Sequence, residues 1–228
     1  MFFKKTRVLE YDVGLEHDKT WIQPAKSHIP EWYKSTIRIS RNKKSFKDQN
    51  FRDCTPFLEA FTTGYVLVLD ADILVTQTPD GPWLEWGVDH NLIQVRNPEQ
   101  NSTLPTPEGY SSVHLVWLTN GCINIPKGYS AIFTHPLNRY DLPFYTLSGV
   151  VDDYLMTRGS IPFFLKEGFT GIIPKGTPYM QLFLFKRENW SSKLVDGLFK
   201  KSQLNVQRAN SIFLGWYKNT VWKKKTYI

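Results

Sequence analysis

The fold is decided by a run of short apolar segments between Gly121 and Glu188. The run contains Ile-Asn-Ile-Pro-Lys-Gly-Tyr (123–129), Leu-Pro-Phe-Tyr-Thr-Leu (142–147) and Tyr-Met-Gln-Leu-Phe-Leu-Phe (179–185). The apolar segments are only a few residues long and are separated by glycine or proline, which is the pattern of short strands joined by tight turns. The sequence therefore predicts an all-β core here and a mainly β protein.

The flanking sequence adds further strands and a few peripheral helices. Residues 65–75 form an apolar run that predicts one strand, on which Asp70 and Asp72 share a face because side chains alternate along a strand. Residues 83–86, 92–95 and 113–117 predict more strands. Residues 51–61 have helical spacing, which Gly64 ends, and the apolar spacing after Trp190 is also helical.

These patterns suggest three regions around one principal domain. Residues 1–50 are expected to be an N-terminal arm and a basic loop that pack on the core. Residues 51–190 are expected to form the β-rich core domain, and residues 191–228 a helical extension that ends in a basic tail. A chain of 228 residues is long enough to bury most of the surface that its unfolded form exposes.

Composition excludes several classes of protein. With 41% hydrophobic and 15% aromatic residues the chain is too apolar to be disordered. It has neither an apolar run of the ~20 residues that cross a bilayer nor a secretory signal, so no membrane partner is expected. Cys54 and Cys122 have no metal-ligand spacing, and two reduced cysteines are favoured over a disulfide.

The net charge of +7 comes from clustered basic residues. Arg38, Arg41 and three lysines lie close together in the first quarter, and Lys223, Lys224 and Lys225 lie near the end. Such clusters bind phosphates or acidic partners, although more often they are solvated faces. No zinc-finger, helix-turn-helix or RNP-like motif accompanies them, so nucleic acid is possible but is not the favoured partner.

Three motifs occur in the order and at the intervals of the trimeric dUTPase family. They are Ile-Asn-Ile-Pro-Lys-Gly-Tyr (123–129), Gly-Val-Val-Asp-Asp-Tyr (149–154) and Lys-Gly-Thr-Pro-Tyr-Met-Gln (175–181). The stretch 121–188 therefore resembles that family, and the resemblance implies a β-clip or jelly-roll core. It also implies a homo-oligomer, with a trimer favoured.

The same resemblance implies roles for four residues. Asp152 would position the attacking water, Tyr154 would pack under the deoxyribose, and Arg139 and Gln181 would contact the nucleotide, with Mg²⁺ as the cofactor of an active enzyme. The chain departs from the family at these positions. One residue is missing between Asp152 and Tyr154, the Arg-Ser-Ser phosphate clamp is replaced by Thr-His-Pro-Leu-Asn-Arg (134–139), and no glycine-rich lid follows Trp190. Phosphoryl transfer depends on such charge stabilisation.

A second resemblance covers most of residues 29–222. The sequences Ile-Pro-Glu-Trp-Tyr (29–33), Cys-Thr-Pro-Phe-Leu-Glu-Ala-Phe (54–61) and Phe-Lys-Arg-Glu-Asn-Trp (185–190) are similar to a group of tailed-bacteriophage proteins. This resemblance implies a source, the host cytoplasm or the virion, and no activity. Together the two resemblances favour a non-enzymatic phage protein with a degenerate dUTPase-like core, a structural or interaction component that meets itself or other virion proteins and needs no cofactor. The alternative is a dUTPase-type enzyme, or nucleotide-binding protein, with an altered site.

Two other sequence patterns bear on function and on the core. Leu-Asp-Ala-Asp (69–72) is similar to the Asp-x-Asp of nucleotide-sugar glycosyltransferases, in which two carboxylates hold a divalent metal, so a metal-dependent glycosyltransferase that uses Asp70 and Asp72 is a lesser alternative. The preceding residues do not form the βαβ half that such an enzyme needs. The aromatic residues Trp83, Trp86, Trp117, Phe163 and Phe164 are expected to lie in the core.

Overall fold

The computed structural model describes residues 7–14, 18–37, 50–97, 99, 103–119, 121–153, 155, 159–212 and 217–228. Within these ranges, fourteen strands in four sheets and three α-helices form, and the prediction of a mainly β protein is confirmed. The chain divides into two compact units. The first contains Met1–Pro24 and Gly64–Arg187, and the second contains Ala25–Thr63 and Glu188–Ile228. The predicted basic loop at residues 38–47 lies outside the described residues.

All described strands belong to the first unit. They are β1 (Glu10–Val13), β2 (Ile22–Pro24), β3 (Tyr65–Val68), β4 (Ile73–Thr78), β5 (Gly81–Trp86), β6 (Ile93–Val95), β7 (Leu115–Leu118), β8 (Gly121–Asn124), β9 (Tyr129–Thr134), β10 (Phe144–Thr146), β11 (Gly149–Val151), β12 (Ser160–Leu165), β13 (Gly171–Ile173) and β14 (Pro178–Lys186). The sheets have the orders β11-β9-β14-β3-β2, β10-β12-β7-β6, β13-β4-β5 and β1-β8. The strand pairs within these sheets are antiparallel.

Strand β14 is the centre of the five-stranded sheet. It pairs with β9 through six residues and with β3 on its other side. Its apolar residues alternate, so that Met180 and Leu182 belong to the buried core while Gln181 points to the opposite face. The core that this sheet shares with the others contains the fully buried side chains of Leu67, Phe133 and many other apolar residues.

The four-stranded sheet contributes most of the aromatic core. The rings of Trp117 on β7 and Phe163 on β12 stack with centroids 3.8 Å apart, and Phe144 meets Trp117 edge-on at 5.1 Å. Such contacts add about 0.5–1.5 kcal/mol each beyond the area they bury. Phe164 is also buried, so the expectation of core positions holds for Trp117, Phe163 and Phe164.

The apolar run 65–75 is not one strand, so that prediction is wrong. It divides into β3 and β4, which belong to different sheets, and Asp70 and Asp72 lie in the connection. The cause is a pair of backbone hydrogen bonds to the turn before β14. The N–H of Leu69 donates to the carbonyl of Thr177 (3.0 Å), and the N–H of Gly176 donates to the carbonyl of Leu69 (2.7 Å).

The regular elements of the second unit are helices and helical turns within the described residues. Helix α1 (Glu31–Ser35) follows Pro30, whose fixed φ suits a helix start. The predicted helix at 51–61 forms as a 3-10 turn (Phe51–Asp53) followed by α2 (Thr55–Thr62). Five aromatic rings form the contacts between these elements: Trp32, Tyr33, Phe51, Phe57 and Phe61.

The rest of the second unit is the C-terminal part of the chain. It contains α3 (Leu198–Ile212) and a π-helical turn (Tyr217–Val221), followed by a basic stretch without regular secondary structure. None of the helices in the described parts of the chain combines the length and the apolar character that a bilayer crossing requires.

Candidate functional site

Asp152 lies just after β11, at an exposed edge of the five-stranded sheet. Its Oδ1 accepts a hydrogen bond from the hydroxyl of Ser130 on β9 (2.5 Å). Its Oδ2 is 3.5 Å from the guanidinium of Arg187, and 62% of the Asp152 side chain is exposed. The carboxylate is therefore bound by one hydroxyl, and its ion pair with Arg187 is long. Tyr154, its expected partner under a sugar, lies outside the described residues.

Arg139 and Gln181 belong to a different part of the same sheet. Gln181, on β14, is 1% exposed, and its Oε1 accepts from the backbone N–H of Leu137 (2.8 Å). The guanidinium of Arg139 makes a two-pronged contact with Asp141, in which Nε and a terminal nitrogen each donate at 2.8–2.9 Å. Both side chains thus hold the turn after β9 in place, since each is bound to a group of that turn.

The structure does not bring Asp152 together with Gln181 and Arg139. Val151 pairs with Ala131, so Asp152 follows at the level of Ser130, whereas Gln181 pairs with Thr134. Four residues along β9 correspond to about 13 Å. A carboxylate and the groups expected to hold a nucleotide are therefore at opposite ends of one strand.

Asp70 and Asp72 bind separate groups. Asp70 Oδ2 is 2.9 Å from Nε2 of His90, and both side chains are 14% exposed. Asp72 Oδ1 accepts from the backbone N–H of Lys175 (2.6 Å), so it caps the turn before β14. Among the described residues there is no group of three His, Cys, Asp or Glu side chains that could hold a metal ion. The two carboxylates have structural partners in this arrangement.

A buried set of hydrogen bonds joins the four-stranded sheet to the five-stranded sheet. The hydroxyl of Thr146, on β10, donates to the carbonyl of Tyr179 on β14 (2.6 Å) and accepts from the indole N–H of Trp117 (3.0 Å). The Tyr179 hydroxyl in turn accepts from the indole N–H of Trp21 (2.9 Å). Thr146 is 0% exposed. Sequence patterns missed this set because its members are far apart along the chain.

His135 extends the same set of bonds. The backbone N–H of Thr146 donates to Nδ1 of His135 (3.3 Å), which leaves Nε2 to donate to the carbonyl of Arg139 (3.0 Å). This pairing requires the neutral imidazole, because Nδ1 must be an acceptor. Burial agrees with it, since the low-dielectric surroundings hold the pKa of His135 below its ordinary value.

His114 is a second buried histidine, next to β7. Its ring meets Phe164 edge-on at 5.3 Å, and neither ring nitrogen has a hydrogen-bond partner in the part of the chain that the structure describes. Burial, and then the nearby guanidinium of Arg96, hold the pKa of His114 below its ordinary value. A lone histidine before an apolar strand gave no sequence signal of this environment.

A cleft in the first unit lies beside the Trp21–Tyr179 hydrogen bond. Asp70 lines it together with apolar side chains, including Leu69, Leu92 and Trp117. Its water-accessible volume is about 20 Å³. A single water needs about 10–15 Å³ on this scale, so the cleft has room for one or two waters and none for a nucleotide.

The three-stranded sheet presents an exposed apolar face. Leu74 on β4 pairs with Ile172 on β13, and their side chains are 40% and 59% exposed. Trp83 on β5 is 59% exposed and pairs with Thr76, one step along the same face. Trp83 is therefore not in the core as expected. We call Leu74, Trp83 and Ile172 the exposed apolar face.

Comparisons with known proteins give a weak structural likeness. No family model matches the chain, and no curated protein matches it. Among solved structures, a mutant dUTPase from phage phi11 of S. aureus covers 46% of this chain and 97% of its own, with 16% identity and a TM-score of 0.27. A likeness this weak carries no argument about activity, and the chain's function must be argued from its own residues.

Proposed function

We propose that this chain is a non-enzymatic, self-associating protein, a structural or interaction component of a phage particle that acts as a homo-oligomer. The observation that carries the proposal is the exposed apolar face. Single exposed apolar residues are ordinary on a protein surface, but three large ones on neighbouring strands form a contiguous patch of the kind that marks an interface.

The edges of the same sheet favour a second copy as the occupant. β5 and β13 are its two outer strands, and neither has a strand partner on its outer side among the described residues. An open strand edge pairs readily with another chain. If the β5 edge of one copy meets the β13 edge of the next, the contact is head-to-tail, and such a contact gives a ring when the rotation between copies closes. A ring of three copies is the favoured assembly.

Three features of the first unit speak for binding rather than catalysis. Asp152 lies about 13 Å along β9 from Gln181. Arg139 is neutralised by Asp141, which leaves less positive charge to stabilise a phosphate. The cleft beside Asp70 is too small for a nucleotide. Catalysis needs reacting groups held within a few ångströms of each other, and no such group is assembled by these residues.

The test of self-association is sedimentation of the purified protein and of Trp83→Glu. We expect the wild type to sediment as an oligomer, with three copies favoured, and Trp83→Glu to sediment as a monomer, because a buried carboxylate on this face has no partner. Tyr140→Glu is the matched control, since Tyr140 is a 78% exposed aromatic residue that lies outside the three-stranded sheet. A monomeric wild type, or a Trp83→Glu oligomer of unchanged size, refutes the proposal.

The enzymatic alternative has its own test. Purified protein is incubated with dUTP and Mg²⁺, pyrophosphate release is measured, and stabilisation by dUMP is followed in a thermal melt. We expect neither turnover nor stabilisation. Turnover that disappears in Asp152→Asn would establish the dUTPase-type function instead. The glycosyltransferase alternative has less support, because Asp70 and Asp72 bind His90 and the turn before β14.

A further inference from the structure

The positive charge of this protein is concentrated in Glu188–Ile228, the C-terminal segment. This segment has eight Lys or Arg residues and two Asp or Glu residues, so it carries six of the seven excess positive charges. The remaining 187 residues are therefore close to neutral. A field of one sign on one segment attracts polyanions and raises the rate at which they bind.

The same segment exposes large aromatic side chains. Trp190 is 86% exposed, Phe199 is 76% exposed and Tyr217 is 44% exposed. Aromatic rings normally gain stability by burial, so rings this exposed offer flat faces to a partner. Tyr140, at 78%, is the comparable ring in the first unit, but its neighbour Arg139 is paired with Asp141.

Aromatic and basic residues alternate along the segment. Phe199 is followed by Lys200 and Lys201, Tyr217 by Lys218, and Trp222 by Lys223 and Lys224. These five lysines are exposed. Bases that are not paired can stack on aromatic rings while the adjoining phosphates meet ammonium groups, and this combination binds single strands with little sequence preference. We propose that the described parts of the C-terminal segment, residues 188–212 and 217–228, form a binding site for single-stranded nucleic acid.

One lysine of the tail has a structural role instead. The ammonium of Lys225 contacts both carboxylate oxygens of Glu59, at 2.6 and 2.8 Å, and only 18% of the Glu59 side chain is exposed. Burial alone would raise the pKa of Glu59, but the Lys225 hydrogen bond helps to bring it below the ordinary value, so the pair is ionic at neutral pH. This contact holds Lys225 against α2, so the neighbouring Lys223 and Lys224 lie next to an anchored residue.

The distribution of apolar residues on α3 argues against a membrane surface. A helix that lies in a bilayer interface keeps its apolar side chains on one face and its basic side chains on the other. At about 100° per residue, Leu204 lies about 240° around α3 from Leu198, between Lys200 and Lys201. The lysines are therefore mixed with apolar residues rather than opposite them. Duplexes are also disfavoured, since their bases are already stacked on each other.

The test measures binding of the full-length protein to fluorescein-labelled oligothymidine, oligouridine and a mixed-sequence DNA duplex. Anisotropy gives the affinity, and the part of the tryptophan quenching that disappears in Trp190→Ala reports stacking on Trp190 among the eight tryptophans. Six exposed lysines (193, 200, 201, 218, 223 and 224) predict a slope of about −4 in a plot of log affinity against log salt concentration. We expect both single strands to bind more tightly than the duplex, and the tighter of the two identifies DNA or RNA as the natural ligand.

Three variants separate stacking from charge. Trp190→Ala and Phe199→Ala are each expected to weaken single-strand binding about tenfold. Lys200→Gln combined with Lys201→Gln is expected to reduce the salt slope by about 1.4. Tyr140→Ala is the matched control and leaves binding unchanged. The inference is overturned if the duplex binds as tightly as the single strands, if the aromatic variants bind like the wild type, or if only anionic vesicles or a second copy occupy the segment.

Discussion

Replacement of Thr146 by valine tests whether hydrogen bonds or packing join the two largest sheets. Valine keeps the shape of threonine but removes the hydroxyl. The carbonyl of Tyr179 then loses its donor, and the indole N–H of Trp117 loses its acceptor. Thr146 itself is 0% exposed, so water does not replace the lost hydroxyl. Each buried polar group left without a partner costs about 1–3 kcal/mol, so we expect Thr146→Val to lower the free energy of unfolding by about 3 kcal/mol.

Thr146→Ser is the matched control for this experiment. Serine keeps the hydroxyl and removes one methyl group, which is expected to cost only about 1 kcal/mol. The assay is equilibrium denaturation in urea, followed by tryptophan fluorescence, with the slope against denaturant compared among the proteins. The reasoning is refuted if the valine variant is as stable as the wild type, or if serine destabilises more than valine, because packing rather than hydrogen bonding would then dominate.

Two further predictions concern a glycine and the buried histidines. Gly64 has φ +76°, and a Cβ there would lie 2.2 Å from the carbonyl oxygen of Leu182. Gly64→Ala should therefore lower the free energy of unfolding by about 3 kcal/mol or more in a thermal or urea melt. Gly149→Ala is the control and should not destabilise, because the space around Gly149 is open. Burial holds the pKa values of His114 and His135 below the ordinary 6.5, so the unfolded chain binds more protons and the free energy of unfolding falls as the pH drops below about 6.5. His114→Leu should be at least as stable as the wild type at neutral pH and lose less stability by about pH 5; an unchanged pH profile would show that His114 does not contribute.

The sequence predicted those parts of the fold that depend on local patterns. Short apolar runs between glycines and prolines located most strands, and the helical spacing at residues 51–61 located α2, because period and turn chemistry are local properties. The prediction of one strand at residues 65–75 was wrong because both halves of that run are apolar, and the pattern shows no break between them. At this break the N–H of Leu69 donates to the carbonyl of Thr177, and the N–H of Gly176 donates to the carbonyl of Leu69. Local sequence patterns do not show partners so distant along the chain.

The exposure of side chains and the partners of the candidate site residues were harder to predict, because they too depend on residues distant in the sequence. Trp83 and Trp117 are both tryptophans in strands, yet one is 59% exposed and the other 1%, since the outcome depends on which face a neighbouring sheet covers. The pairing of Arg139 with Asp141 is close in sequence, but a motif that gives residues their roles by analogy does not show that charge is already neutralised. The hydrogen-bonded set of Trp21, Thr146 and Tyr179 joins residues far apart in the sequence, so no local pattern predicts it.

The central position of β14 has a consequence for synthesis on the ribosome. β3 and β9 both hydrogen-bond to it, yet it is the last of the described strands to be made, at Pro178–Lys186. Until that stretch has left the exit tunnel, β3 and β9 lack the neighbour that joins them, and the growing polypeptide carries two incomplete half-sheets. Folding of the first unit therefore waits for β14, and its rate is limited by contacts distant in sequence. A nascent chain arrested before Pro178 would expose unpaired strand edges to chaperones or to other nascent chains.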